Sequence, residues 1–179
     1  MNVTNLLDRR MLGLALAGAG LAGCAASAQP GMTAREIASS TDPVSMRTTA
    51  VQGGTFLMQT AQLGATKAQR PELRRFAPFE VTEQQGIMQA LAATGQAVPA
   101  PPPTAEKAAM LQQLQAANGA EFDRLFLMAQ IQGHQEALTV YNAIIQTSGG
   151  PATDKAIAIL AADRIREHLA LLQAIPARA

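Results

Sequence analysis

The sequence predicts an all-α protein: an antiparallel four-helix bundle with an extra short helix between the second and third long helices. Three observations predict it. Hydrophobic residues make up 48% of the 179 residues but aromatics only 3%, with no Trp and one Tyr. The core must therefore be built from Ala, Leu, Ile and Met, which suit helices better than sheets. Apolar residues recur at three- and four-residue intervals along four long segments, one face each. Short breaks rich in Gly, Pro and Ser separate those segments and favour antiparallel neighbours.

The first long helix starts near Asp42-Pro43, with Asp as N-cap and Pro at the first helical position, and runs to about Gln69. Ala50, Gly54, Leu57, Ala61, Gly64 and Ala68 form its inward face, where small residues let a neighbour come close. Gly53-Gly54 weakens its early turns and predicts a break there. The second helix restarts at Arg70-Pro71-Glu72 and turns Leu73, Phe76, Ala77, Val81, Ile87, Met88 and Leu91 inward, until Gly95 ends it. Pro78 should kink it or mark its true start. Pro99 to Pro103 reads as a stiff polyproline spacer, and Thr104 caps the short helix that carries Leu111 and Leu114.

The third long helix, Glu121 to Gln146, is the longest uninterrupted pattern. Its apolar arc covers about half the circumference at roughly 100° per residue. Inside that arc runs a polar row: Asp123, Gln130, His134 and Tyr141. Buried polar groups need partners, so the row must meet another side chain, water, a ligand or a metal. Asp123, close behind Asn118-Gly119 yet partly inward by the wheel, is expected to do structural work near the helix start as a capping or hydrogen-bonded group. The last helix runs from about Thr153 to Ile175, with Ile157, Leu160, Ala161, Ile165, Leu172 and Ile175 inward and His168 central.

The chain's N-terminus carries an address. Arg9 and Arg10 precede an apolar run, Met11 to Ala22, that is too short for a spanning helix of about 20 residues. It reads as a secretory signal over residues 1–23, with Asp8 to Leu12 a loose twin-arginine pattern. Leu21-Ala22-Gly23-Cys24 resembles a bacterial lipobox, which implies acylation of the lone cysteine. The alternative is an ordinary signal cut after Ala26-Ser27-Ala28. Residues 24–42, small and polar, form a tether, and residues 43–179 the bundle domain. The expected partner is a membrane, reached through lipid at Cys24 on the periplasmic side. Ala25 in place of Asp favours the outer membrane. Loss of residues 1–23 takes Arg9, Arg10 and Asp8 from 14 basic and 13 acidic residues, which leaves 12 of each. A neutral chain argues against nucleic acid.

The wheels place Leu57, Gln84, His134 and His168 at the core-facing centres of the four long helices. Two imidazoles could begin a metal site, with Glu80, Glu83 or Glu167 adding oxygen. A di-iron carboxylate site, however, needs Glu-x-x-His on two helices, and the chain has none. The preferred reading is a satisfied polar core of neutral histidines, bonded to each other, to Gln84, Gln130 or Tyr141, or to water. On that reading no cofactor is expected, and acid loosens the bundle by charging them. Without Gly-x-Ser-x-Gly, Cys-x-x-Cys, His-Glu-x-x-His or a phosphate-cradling Gly loop, nothing signals an enzyme. The expected role is binding or structural, and the alternative is a metal-binding or redox protein using His134 and His168.

Phe76-Ala77, Gly119 to Asp123 followed by His134, and Arg166-Glu167-His168-Leu169 resemble the domain of unknown function 4142 family, from about Val51 to Ile175. That resemblance implies an exported bacterial protein, a predicted outer membrane protein, with a ferritin-like four-helix bundle and no settled activity. The family usually carries Asp-His where this chain has Glu83-Gln84, and an acidic residue near the position of Leu57. The resemblance thus implies an inner cluster that here lacks one histidine and one carboxylate.

Overall fold

Five helices and no strand make up residues 42–176, the part of the chain that the computed structural model describes. The expected signal segment, Cys24 and the tether up to residue 41 lie outside the described residues, as do residues 177–179. The helices are α1 (Pro43–Lys67), α2 (Pro71–Ala93), α3 (Ala105–Ala116), α4 (Gly119–Gln146) and α5 (Ala152–Gln173). Their starts follow the local chemistry. The Asp42 carboxylate accepts from the N–H groups of Val44 and Ser45, Pro71 occupies the first turn of α2, and the Thr104 hydroxyl accepts from Lys107 N–H. Gly95, at φ 69°, follows the end of α2 in the left-handed conformation that closes many helices.

The break expected at Gly53-Gly54 gives way to packing. Helix α1 runs unbroken through Gly53-Gly54, because Gly54 lies against α2 where a Cβ would collide with Gln84 Oε1. Pro78 lies inside α2, which begins at Pro71 as one helix. Its ring sits on the exposed side, where water can satisfy the carbonyl that loses an N–H partner.

Helix α4 packs against both α1 and α5, α1 also packs against α2, and α2 and α5 scarcely meet. The short α3 lies on α1 and α4, tied there by Lys67 Nζ, which donates to the carbonyls of Leu114 and Gln115 at its C-terminus. The polyproline spacer follows α1, since Gln52 Nε2 donates to the Pro102 carbonyl. Two apolar clusters result. One joins Met46, Leu57, Val140, Tyr141, Ile144 and Ile165; the other is richer in aromatics, with Phe56, Phe76, Phe122, Phe126 and Leu172. Among the described residues no helix is long and apolar enough to cross a membrane.

Leu160 corrects the expected face of the last helix, being 74% exposed. The buried stripe of α5 is Asp154, Ala158, Ala161, Ala162, Ile165, His168 and Leu172, which points Leu160 into solvent. Asp123 is hydrogen-bonded, as expected of a structural carboxylate, but to the corner between two other helices. Its carboxylate accepts from the backbone N–H groups of Gln69 and Arg70, at 3.0 and 2.9 Å, and so fastens the α1–α2 corner rather than its own helix. The residue before Pro71 makes no side-chain cap of its own, so Asp123 supplies that function from another helix.

Candidate metal centre

Helix α2 carries Phe76, Ala77, Glu80 and Gln84 at spacings of three and four residues, which puts all four on one buried stripe. Glu80 is fully buried at 0% exposure, an untenable place for a lone carboxylate. It is met from two sides. His134 of α4 brings Nε2 to 3.1 Å from Glu80 Oε2, and His168 of α5 brings Nδ1 to 3.0 Å from the same oxygen. The two ring nitrogens are themselves 3.1 Å apart. Three donor atoms from three helices therefore form a nearly equilateral triangle, and all three residues are buried.

The neighbours fix each member. Gln84 Nε2 donates to the other oxygen, Glu80 Oε1, at 2.9 Å. The Gln84 carbonyl in turn occupies the space that Gly54 leaves by lacking a Cβ. His134 Nδ1–H donates to the Gln130 carbonyl at 2.7 Å, an acceptor-only partner that sets the tautomer. His168 Nε2 faces Glu83 Oε2 at 3.4 Å. The Phe76 ring closes one side, edge-on to His168 at 4.9 Å between centroids. His134 is thus held on its outer nitrogen by a carbonyl, His168 has a carboxylate near its outer nitrogen, and both present the inner nitrogen to Glu80, as metal-ligating histidines do.

The charge balance of this centre is unusual. With Nδ1–H committed to Gln130, a neutral His134 turns its Nε2 lone pair toward Glu80 Oε2 and toward His168 Nδ1, whose N–H can donate to it. Burial opposes charge on Glu80, but hydrogen bonds from His134 and His168 outweigh it and hold its pKa down at about 2. Burial likewise opposes charge on His134, yet the Glu80 carboxylate and the Gln130 carbonyl raise its pKa above 6.5. That shift favours the cation at His134 more than the expected neutral core does. Burial raises the pKa of Glu83.

The sequence-derived candidates fall into three groups. Glu80, His134 and His168 come together, with Gln84 and Glu83 behind them. Gln130 offers its backbone to His134 and its amide to the Leu57 carbonyl and Thr60 Oγ1, at 3.1 and 2.6 Å. Glu167 is exposed and pairs with Arg164 at 2.5 Å, while Asp123 and Tyr141 are buried elsewhere on α4. Leu57 brings no charge to the centre; it packs on Gly133, where a Cβ would come within 2.6 Å of it. The central part of Glu80 was the one to find. Its place four residues after Phe76 and four before Gln84 was the available signal, since it puts an acid on the core stripe.

No curated protein and no solved structure matches the chain. The family described as Domain of unknown function (DUF4142) does, over residues 27–175, a stretch that contains every member of the buried centre. The chain belongs to the DUF4142 family.

Proposed function

We propose that the domain is a ferritin-like four-helix bundle, held on the periplasmic side of the cell envelope by lipid on Cys24, that binds one divalent transition-metal ion. Glu80, His134 and His168 are the ligands. The observation that carries this reading is the convergence of Glu80 Oε2, His134 Nε2 and His168 Nδ1 at 3.0–3.1 Å from one another. Bonds of about 2.1 Å at right angles separate donors by about 3.0 Å, and tetrahedral ones by about 3.4 Å. The spacing therefore suits three cis positions of a six-coordinate ion, the set of two histidines and one carboxylate that first-row metals accept. An ion would also offset the buried charge of Glu80. Metal analysis of the purified chain, before and after exposure to zinc, cobalt, manganese and ferrous ions, tests the reading. We expect one ion per chain, lost in Glu80→Gln and His134→Asn; no retained ion and no thermal shift with any of the four would overturn it.

A second reading has its own support in the lowered pKa of Glu80 and the raised pKa of His134. On it the centre is a buried ion pair that fixes helix register, and stability is indifferent to divalent ions. The lipid anchor is tested separately. Cys24→Ser should release the protein from membranes, because stable anchoring needs two acyl chains or more. Full retention of that variant would refute the anchor and leave the metal reading intact.

A further inference from the structure

Helix α5 carries two stripes. The inner one, with Ala158, Ala161, Ile165 and Leu172, is buried in the bundle. The outer one runs Ile157, Leu160, Arg164, Glu167, Leu171 and Ala174, at spacings that alternate between three and four residues, the heptad pattern by which one helix meets another. Leu160 is 74% exposed and Leu171 56%, and the side chains of Arg164 and Glu167 between them are more than half exposed. Beside Leu171, across the seam where α2 and α5 scarcely meet, Phe79 is 67% exposed and lines the same cleft. Large apolar side chains set out in water at helical spacing mark a contact surface.

The order of the stripe decides what fits it. Leu160, Arg164, Glu167 and Leu171 run apolar, positive, negative, apolar, at spacings of four, three and four. Reversed, the spacing is unchanged and the two charges trade places. A second copy of α5 lying antiparallel therefore sets Leu160 opposite Leu171, Arg164 opposite Glu167 and Ile157 opposite Ala174, each twice, about one two-fold axis. A parallel copy would set like charges against each other. Within one chain Arg164 pairs with Glu167 and lies 3.9 Å from Glu83. In the antiparallel pair the four central charges of the two helices alternate in sign.

We propose that a second copy of this chain docks on the outer stripe with its α5 antiparallel to the first, Leu160 of each copy seated against Leu171 and Phe79 of the other. The stripe is about 26 Å long, a small contact, so the pair forms reversibly in the micromolar range. It depends on neither the metal ion nor the lipid anchor.

The test uses the full chain with Cys24→Ser, which removes the lone native thiol. Sedimentation equilibrium should show monomer and dimer exchanging with concentration. Each substitution counts twice in a two-fold dimer, so Leu160→Ser should weaken association about a hundredfold. Arg164→Glu should weaken it too. Adding Glu167→Arg to that variant exchanges the signs, keeps the stripe self-complementary and should restore the dimer. Leu160→Cys together with Leu171→Cys should close into a covalent dimer on mild oxidation. Leu160→Cys alone should not, because the axis holds the two copies of that position about 16 Å apart. A chain that stays monomeric to millimolar concentration overturns the proposal. A dimer that neither Leu160→Ser nor Arg164→Glu weakens overturns it as well. A double charge exchange that fails to restore the dimer, or crosslinking by Leu160→Cys alone, overturns the antiparallel register.

Discussion

Two of the buried ion pairs among the described residues solve the same problem differently. Near the start of α1, Arg47 reaches Asp154 of α5 with Nε and Nη2 at 3.0 and 2.6 Å from one carboxylate oxygen. Their side chains are 10% and 7% exposed. Midway along the helices, Glu80 faces two histidines in place of an arginine. A guanidinium stays charged, so the first pair has a fixed cation with no proton to exchange and holds α1 to α5. An imidazole changes charge near neutrality, so the second centre could exchange a proton for a metal ion. A permanent cation makes a lock, and a titratable one makes a site.

The comparison breaks most sharply at the lock. Asp154→Ala leaves Arg47 buried without its counter-charge and should cost about 3–5 kcal/mol, read as a fall in urea midpoint that added metal does not change. At the site, a divalent ion at a hundred times its dissociation constant should stabilise the native chain by about 2.7 kcal/mol. That gain should be absent in His134→Asn and present in any folded Asp154 variant, as thermal melts with and without zinc will show.

The pH dependence of the metal-free chain separates the two centres again. Glu80 has a lowered pKa, so its contribution is fully present above about 4.5 and is lost as pH falls toward 2. His134 has a raised pKa, so its contribution is present below 6.5 and is lost as pH rises through the raised value. Stability of the metal-free chain should thus peak in mildly acidic solution. Acid loosening should begin with Glu80 and not with His134. Bound metal should reverse the neutral-side slope, since it competes with the His134 proton. A melting temperature that falls from pH 7 to pH 5 without metal would contradict this assignment.

Smaller effects test the frame around the centres. Asp123→Ala removes the acceptor for Gln69 and Arg70 N–H and should cost about 1–2 kcal/mol, measured by chemical denaturation, without altering metal affinity. Leu160→Ser should stay within about 0.5 kcal/mol of the parent in solution dilute enough to keep copies apart, because the residue is solvent-facing in the single chain. A loss like that of a core leucine would mean the face is covered even there.

The sequence by itself determined the helices and most of their inward faces. Asp42-Pro43, Pro71 and Thr104 mark starts through chemistry that acts within one turn, so their neighbours in the chain suffice to read them. Periodicity also placed His134, His168 and Gln84 toward the core, because direction on a helix depends on residue spacing alone. It failed for Leu160, where apolar character was mistaken for the buried stripe that Ala158 and Ala162 in fact occupy. Only the tertiary structure decided which inward residues meet. Spacing fixes a side chain's direction about its own axis but not the offset and rotation of one helix against the next. Those two quantities bring Glu80 Oε2 to 3.0–3.1 Å from two imidazoles, turn Asp123 toward the α1–α2 corner, and leave the α2–α5 seam open. They are settled by packing across the whole core, where glycines such as Gly54 and Gly133 set how closely the helices approach.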